Sequence, residues 1–201
     1  MKALELTPAG FHLIDTELPT IGEQQLLVKP LFTGICGSDL HLKEVITSVP
    51  QEQKAHFPGF VLGHEFCAEV IAIGSGVEGF ECGDRIVTNP FVETDQGYEI
   101  VGLSPTRPGG FAERCVVEAK GSIKVADSVS SDHAALTEPM AVALHATRMA
   151  DRNLGPNVVI GCGPVGLSVI LALKTEGRGP IVASDFSPER REIARRLGAD
   201  L

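Results

Sequence analysis

Val158-Val159-Ile160-Gly161-Cys162-Gly163-Pro164-Val165-Gly166 is a short apolar run that opens into a GxGxxG loop. Val158 to Ile160 predicts a buried strand, and the helix formers from Val165 to Thr175 predict an apolar helix. The glycines therefore stand at a strand-to-helix turn. Gly161 permits the tight turn, Gly163 lets backbone approach a pyrophosphate, and Gly166 lets helix pack on strand. The helix N-terminus offers free N–H groups and a positive dipole end to phosphates, so Pro164 and Val165 join the glycines as cofactor-binding residues. Ile181 to Ser184 reads as the next strand, and Asp185 stands at its end, 19 residues after Gly166. A carboxylate there can accept both ribose hydroxyls of an adenosine and would repel a 2′-phosphate, which favours NAD over NADP. Arg190 either covers the adenine face or is solvated on the following helix. That helix is read over Ser187 to Leu197, with Ser187 as cap, Pro188 in its first turn and Gly198 past its end.

Outward from this unit the texture changes. Residues 1 to about 130 are β-rich: Gln25 to Leu31, Glu69 to Ile73, Asp84 to Val87 and Phe111 to Val117 are short apolar runs between Gly and Pro turns, a barrel or sandwich pattern. Asn89 to Gly109 is polar and reads as an irregular loop or small lobe. Ser131-Asp132 can cap a helix, and Thr137-Glu138-Pro139 leads into the helix formers Met140 to Ala146. The expected fold class is mixed α/β: a β-rich N-terminal domain over residues 1–150, then part of a doubly wound parallel sheet over 151–201.

Composition limits the function classes. The chain has 43% hydrophobic and 21% charged residues, a globular balance that excludes disorder. Its net charge of −9 argues against nucleic acid. No apolar run reaches the roughly 18 residues of a membrane span, and the start lacks a secretory h-region, so a cytoplasmic chain with no membrane partner is expected. The five cysteines, Cys36, Cys67, Cys82, Cys115 and Cys162, are odd in number and contain no CxxC pair, which argues against a disulfide scaffold.

Two further patches are dense in chemistry: Gly34-Ile35-Cys36-Gly37-Ser38-Asp39-Leu40-His41 and Gly63-His64-Glu65. Thiolate, imidazole and carboxylate are zinc ligand types, and a catalytic zinc keeps three protein ligands and one open place. Cys36 and His64 are 28 residues apart, so only folding can bring them together.

GICGSDLH, LGHE, GDRIV, GGFAE, EPMAVALHA and VIGCGPVG follow one another in the order found in zinc-dependent medium-chain dehydrogenases. The chain resembles the sorbitol, threonine and butanediol dehydrogenase branch of that family over essentially all of its length. The resemblance implies a GroES-like barrel followed by a Rossmann domain, and direct ligation of zinc by Cys36 and His64. The third ligand is Glu65 or Glu138, one of them direct and the other able to sit behind a water. Cys67 is a competing thiol otherwise placed in the strand core, Cys162 is a spacer in the glycine turn, and Cys82 and Cys115 are packing residues. Many relatives bind a second, structural zinc through four cysteines after the GDR motif. Asn89 to Gly109 contains none, so one catalytic zinc and no structural four-cysteine site are expected, with the lobe shortened and held by packing alone.

The implied chemistry is hydride transfer between a small alcohol or ketone and NAD. Zinc acts as the Lewis acid on the hydroxyl. Ser38 contacts the substrate oxygen and His41 forms the outer end of a proton relay, or both cap the local turn. Glu138 joins them as a catalytic residue. Asp39 orients His64 or the turn, and Arg85 is structural. A secondary alcohol, polyol or hydroxy amino acid is the expected substrate class. The family's further Rossmann strands and closing segment do not follow Leu201, so the chain reads as a fragment of a longer protein that is a homo-oligomer in full-length form. Two other readings are a non-catalytic metal-binding module and a zinc-free, quinone-reductase-like relative.

Overall fold

The computed structural model describes residues 1–150 and 155–201. The elements are β1 (Lys2–Thr7), β2 (Gly10–Asp15), β3 (Gln25–Thr33), α1 (Gly37–Thr47), β4 (Phe60–Val61), β5 (Phe66–Ile73), β6 (Arg85–Thr88), β7 (Phe91–Thr94), β8 (Gly97–Ile100), β9 (Cys115–Glu118), β10 (Ser122–Lys124), α2 (Ser131–Ala134), α3 (Thr137–Met149), β11 (Asn157–Ile160), α4 (Pro164–Thr175), β12 (Ile181–Ser184) and α5 (Pro188–Leu197). They form two compact units, residues 1–138 and 139–201. The domain boundary expected between residues 150 and 151 borders a segment outside the described residues.

The first unit is built on a five-stranded antiparallel sheet in the order β10-β6-β5-β3-β9, beside a three-stranded sheet β2-β1-β4. Side chains alternate across a strand, so every second residue enters one core. Leu26 and Val28 of β3, Phe66, Ala68 and Val70 of β5, Ile86 of β6, and Cys115 and Val117 of β9 form that core. On the other face Cys67 and Val87 pack with Ala134 and Ala135 at α2. α1, absent from the strand-and-turn reading, buries Ile46 against Leu6, Phe60 and Leu62. Arg85 is structural in its contacts: it donates to the Val129 and Ala126 carbonyls and to the Ser131 hydroxyl, tying β6 to the segment before α2.

The structure departs from the sequence reading over three segments. Asn89 to Gly109 contains a hairpin, β7–β8; Val92 of β7 and Val101, just after β8, enter the main core. It is not held by packing alone. Arg107 lies 2.6 Å from Glu99 and 3.2 Å from Glu118, and Thr106 donates to Glu99 at 2.5 Å. The strand expected from Phe111 starts only at Cys115, because the Phe111 and Leu4 amides are committed to bonds between the 111 turn and its neighbours. Val158 and Ile160 are exposed at 60% and 86%, and of that run only Val159 is buried. The strand alternates because α4 and α5 share a core with one set of its side chains.

The second unit pairs β11 and β12 in parallel. Ile170 and Leu173 of α4 and Ala194 of α5 pack on Val159 and Ile181. α5 begins as expected, with the Ser187 hydroxyl accepting from the Arg190 amide and Pro188 in the first turn. Among the described residues, no helix is long and apolar enough to cross a membrane.

One backbone crossing in the first unit is tight enough to demand glycine. Gly63 has φ +93°, and the Gly109 and Gly110 amides donate to the Val61 and Gly63 carbonyls at 2.8 and 2.7 Å. A Cβ on Gly102 or Gly109 would overlap the Gly63 carbonyl, which is backbone and has no rotamer to yield. Gly109→Ala is expected to destabilise the protein by about 1–3 kcal/mol, the usual cost of overpacking. Urea unfolding should show a lower midpoint at unchanged m-value, and a wild-type midpoint would show that the crossing can relax.

Candidate metal and dinucleotide sites

The register of β3 against β5 closes the sequence gap between the two ligand patches. Thr33 pairs with Phe66, the last and first residues of their strands, so the chain after β3 lies opposite the chain before β5. The Gly34 amide continues the ladder by donating to the Glu65 carbonyl at 2.7 Å. This places Cys36, at the N-cap of α1, opposite His64 and Glu65. One donor atom from each of Cys36, His64 and Glu65 lies within 4.8 Å of the others. His64 and Glu65 are buried and Cys36 is half-buried. Gly34 makes room for the carboxylate, since a Cβ there would stand 2.5 Å from Glu65 Oε2.

Asp39 organises this turn. Its Oδ2 accepts the Cys36 amide at 2.9 Å, bracing the start of α1. Its Oδ1 faces His64 Nδ1 at 3.7 Å, too far for a hydrogen bond. Asp39 Oδ1, His64 Nδ1 and the Ser38 hydroxyl are all buried without a hydrogen-bond partner. Unsatisfied buried polar atoms are rare and call for an explanation. Here they belong to His64 itself, to Asp39 facing it and to Ser38, two residues along from Cys36, and the thiol, imidazole and carboxylate of Cys36, His64 and Glu65 are a donor set that suits a borderline-soft cation.

Glu138, in the first turn of α3, is half-buried and stands outside the group of three. Burial is the main cause that raises its pKa; His64 opposes the shift and Glu65 adds to it, so its carboxyl lies within electrostatic reach of both. His41 is exposed on α1. Cys67 is wholly buried in β5, where desolvation pushes its thiol up. Cys115 is also buried, and its thiol is pushed up to about 12. Cys82 is exposed, which corrects its reading as a packing residue: it follows Glu81 in an open turn and only approaches the Ile71 carbonyl. His12, His56, His133 and His145 are exposed.

In the second unit the glycine loop is fastened to Asp185. The Gly161 amide donates to the Ser184 carbonyl at 2.7 Å, and the Cys162 amide donates to Asp185 Oδ2 at 2.8 Å. The Ser187 amide donates to Asp185 Oδ1 at 2.8 Å. The Ser187 bond and then the Cys162 bond hold the Asp185 carboxyl below the usual carboxylate range. Each oxygen keeps a further acceptor site. Cys162 is thus more than a spacer, since its amide positions the acid. Arg190 lies 3.8 Å from Asp185, and Arg191, which the sequence did not single out, donates to the Asp185 and Phe186 carbonyls. A Cβ on Gly166 would collide with the Gly161 carbonyl, whereas nothing lies within 4 Å of one on Gly163. Gly163 is the N-cap of α4, followed by Pro164 and the exposed Val165.

Comparison with known proteins gives the family of the chain. Residues 22–127 match the alcohol dehydrogenase GroES-like domain. The chain is 37% identical to the (R,R)-butanediol dehydrogenase of Bacillus subtilis (strain 168), covering 91% of this chain and 57% of that protein. It is 32% identical to the L-threonine 3-dehydrogenase of Escherichia coli (strain K12 / DH10B), covering 98% of this chain and 61% of that protein. It therefore spans about three fifths of the length of these relatives. The crystal structure of a short chain alcohol dehydrogenase from Escherichia coli CFT073, complexed with cofactor NADH, superposes with a TM-score of 0.84 at 29% identity, covering 100% of this chain and 61% of that one. The chain belongs to the medium-chain alcohol dehydrogenase family, with the family's GroES-like domain in its N-terminal unit.

Proposed function

We propose that this chain carries the zinc-binding and NAD-binding parts of an alcohol dehydrogenase that acts on a secondary alcohol, polyol or hydroxy amino acid. The observation that carries the reading is the convergence of Cys36, His64 and Glu65 on one point, beside buried polar atoms that lack partners. These three residues would hold the metal, and Glu138 would be the carboxylate that exchanges for Glu65 or acts through a water. Zinc so held supplies a Lewis acid that makes an alcohol hydroxyl easier to deprotonate. The glycine loop of the second unit would hold NAD, which would supply a hydride acceptor.

The chain's own groups account for orientation and proton traffic. Ser38, with an unpartnered hydroxyl, can hydrogen-bond a substrate oxygen and relay its proton, accepting it as its own hydroxyl proton passes on. His41 lies three residues further along α1, where side chains are neighbours on the helix surface, and its exposed imidazole can pass that proton to solvent. Asp39 keeps Cys36 in place through the backbone. Asp185 would accept the ribose hydroxyls with the lone pairs its two amide bonds leave free, which favours NAD over NADP. Residues 161 to 166 would cradle the pyrophosphate. The secondary hydroxyls of butanediol and of threonine C3 support the substrate class.

Elemental analysis should find about one zinc per chain in the wild type and almost none in Cys36→Ser purified in parallel. A folded wild-type chain without zinc would overturn the metal assignment in favour of a zinc-free relative. Gly163→Ala should not destabilise the fold and should raise unfolding stability by about 0.4–1 kcal/mol, because its φ of −76° is ordinary and its Cβ meets open space. The same substitution should weaken NADH binding, followed by fluorescence titration, at least about tenfold, because the backbone must approach the pyrophosphate there. Unchanged NADH affinity would remove Gly163 from the site.

A further inference from the structure

The 102–110 segment reaches the metal-binding turn without contributing a donor to it. Its Gly109 and Gly110 amides hold the Val61 and Gly63 carbonyls, and Gly102 and Gly109 press on the Gly63 backbone. His64 and Glu65 follow directly. The segment needs an anchor of its own, and Arg107 supplies it. The Arg107 carbonyl accepts the Gly102 amide at 2.8 Å and its amide donates to the Ser104 carbonyl at 3.0 Å, closing the turn that carries Gly102. Its guanidinium reaches Glu99 at the end of the β7–β8 hairpin and Glu118 on barrel strand β9. Glu118 is itself held by Gln25 Nε2 at 2.8 Å. All three charged side chains are 26–29% exposed, so solvent screens them only in part.

We propose that Arg107 is a positioning residue for the metal-binding turn. Its two ion pairs seat the 102–110 segment against Gly63 and so fix where His64 and Glu65 present their donor atoms. The consequence for zinc rests on the metal reading above, whereas the mechanical coupling does not. Ligand-orienting contacts outside a metal's own coordination commonly tune its affinity by about 10–100-fold.

The test uses the full chain as wild type, Arg107→Met, Arg107→Lys and Glu118→Gln. Amide hydrogen exchange is followed without metal, and zinc affinity is measured by competition with a chromophoric chelator. Arg107→Met should speed exchange about tenfold at Gly109, Gly110 and Gly34, whose amides bond to or beside the turn, while Val70 and Val117 in the barrel strands keep wild-type rates. Its zinc Kd should rise by about tenfold, with Arg107→Lys recovering part of the loss because it restores one ion pair. If Arg107→Met does not fold, Glu118→Gln carries the same two readouts with only one ion pair removed. Wild-type exchange at Gly110 and Gly34, or a uniform rise that includes Val70 and Val117, would overturn the proposal. So would an unchanged zinc Kd in a folded variant. If the wild type binds no zinc, the metal reading fails by itself, and the exchange pattern alone decides the coupling.

Discussion

The antiparallel pairing of β3 with β5 is the constraint on which the N-terminal unit depends. It is the most extensive ladder in the chain, running from Leu26–Ile73 to Thr33–Phe66. The same ladder that buries Leu26 and Val28 against Phe66, Ala68 and Val70 sets Cys36 beside His64 and Glu65. A slip of one residue would turn each apolar face outward and carry the thiol away from the imidazole. Burial and site geometry are thus specified by one register, and the hydrophobic alternation that stabilises the sheet also enforces the position of the donors.

That register brings the donors together without fixing the turn between Leu62 and Phe66, which has to be backed from behind. The backing is a stack of backbones at Gly63, Gly102 and Gly109 with no side chain between them. Such contacts are stiff because carbonyl and amide atoms cannot change rotamer. The 89–110 lobe must therefore deliver its glycines to a fixed place. Val92 and Val101 sink one end of it into the barrel core, and the Glu99–Arg107–Glu118 bridge ties the other. A lobe without cysteines is held here by one guanidinium between two carboxylates. Arginine suits that task because its rigid fork can serve two acceptors at once.

Legibility in the sequence followed the range of the interaction. The second unit's strands, helices, cap and glycine turn were readable because each signal lies within a few residues: Ser187 before Pro188, or Gly161 after Ile160. Cys36, His64 and Glu65 could be named as zinc-ligand types, but only the β3–β5 ladder accounts for their meeting. The β7–β8 hairpin and the Arg107 bridge were not legible. Asn89 to Gly109 is polar, and nothing local shows that Glu99 and Glu118 share one arginine. The exposed Val158 and Ile160 misled for a related reason, since a short β-branched run reads alike whether one face or both are covered.

The glycine loop separates two uses of one residue type within six positions. At Gly166 the fold itself demands glycine, because any side chain would strike the Gly161 carbonyl. At Gly163 the fold demands nothing: φ is −76°, an ordinary value for any residue, and the space beside it is open. Glycine loses more conformational freedom on folding than alanine, by roughly 0.5–1 kcal/mol, so at Gly163 it carries a cost that the packing does not offset. A pyrophosphate bound as proposed would account for that cost, since it would need the volume a Cβ would fill and the amides a Cβ would shield. The neighbouring amide at Cys162 is already committed to Asp185, so a ligand bound as proposed would take its amides from the rest of the loop while its ribose met the same carboxylate.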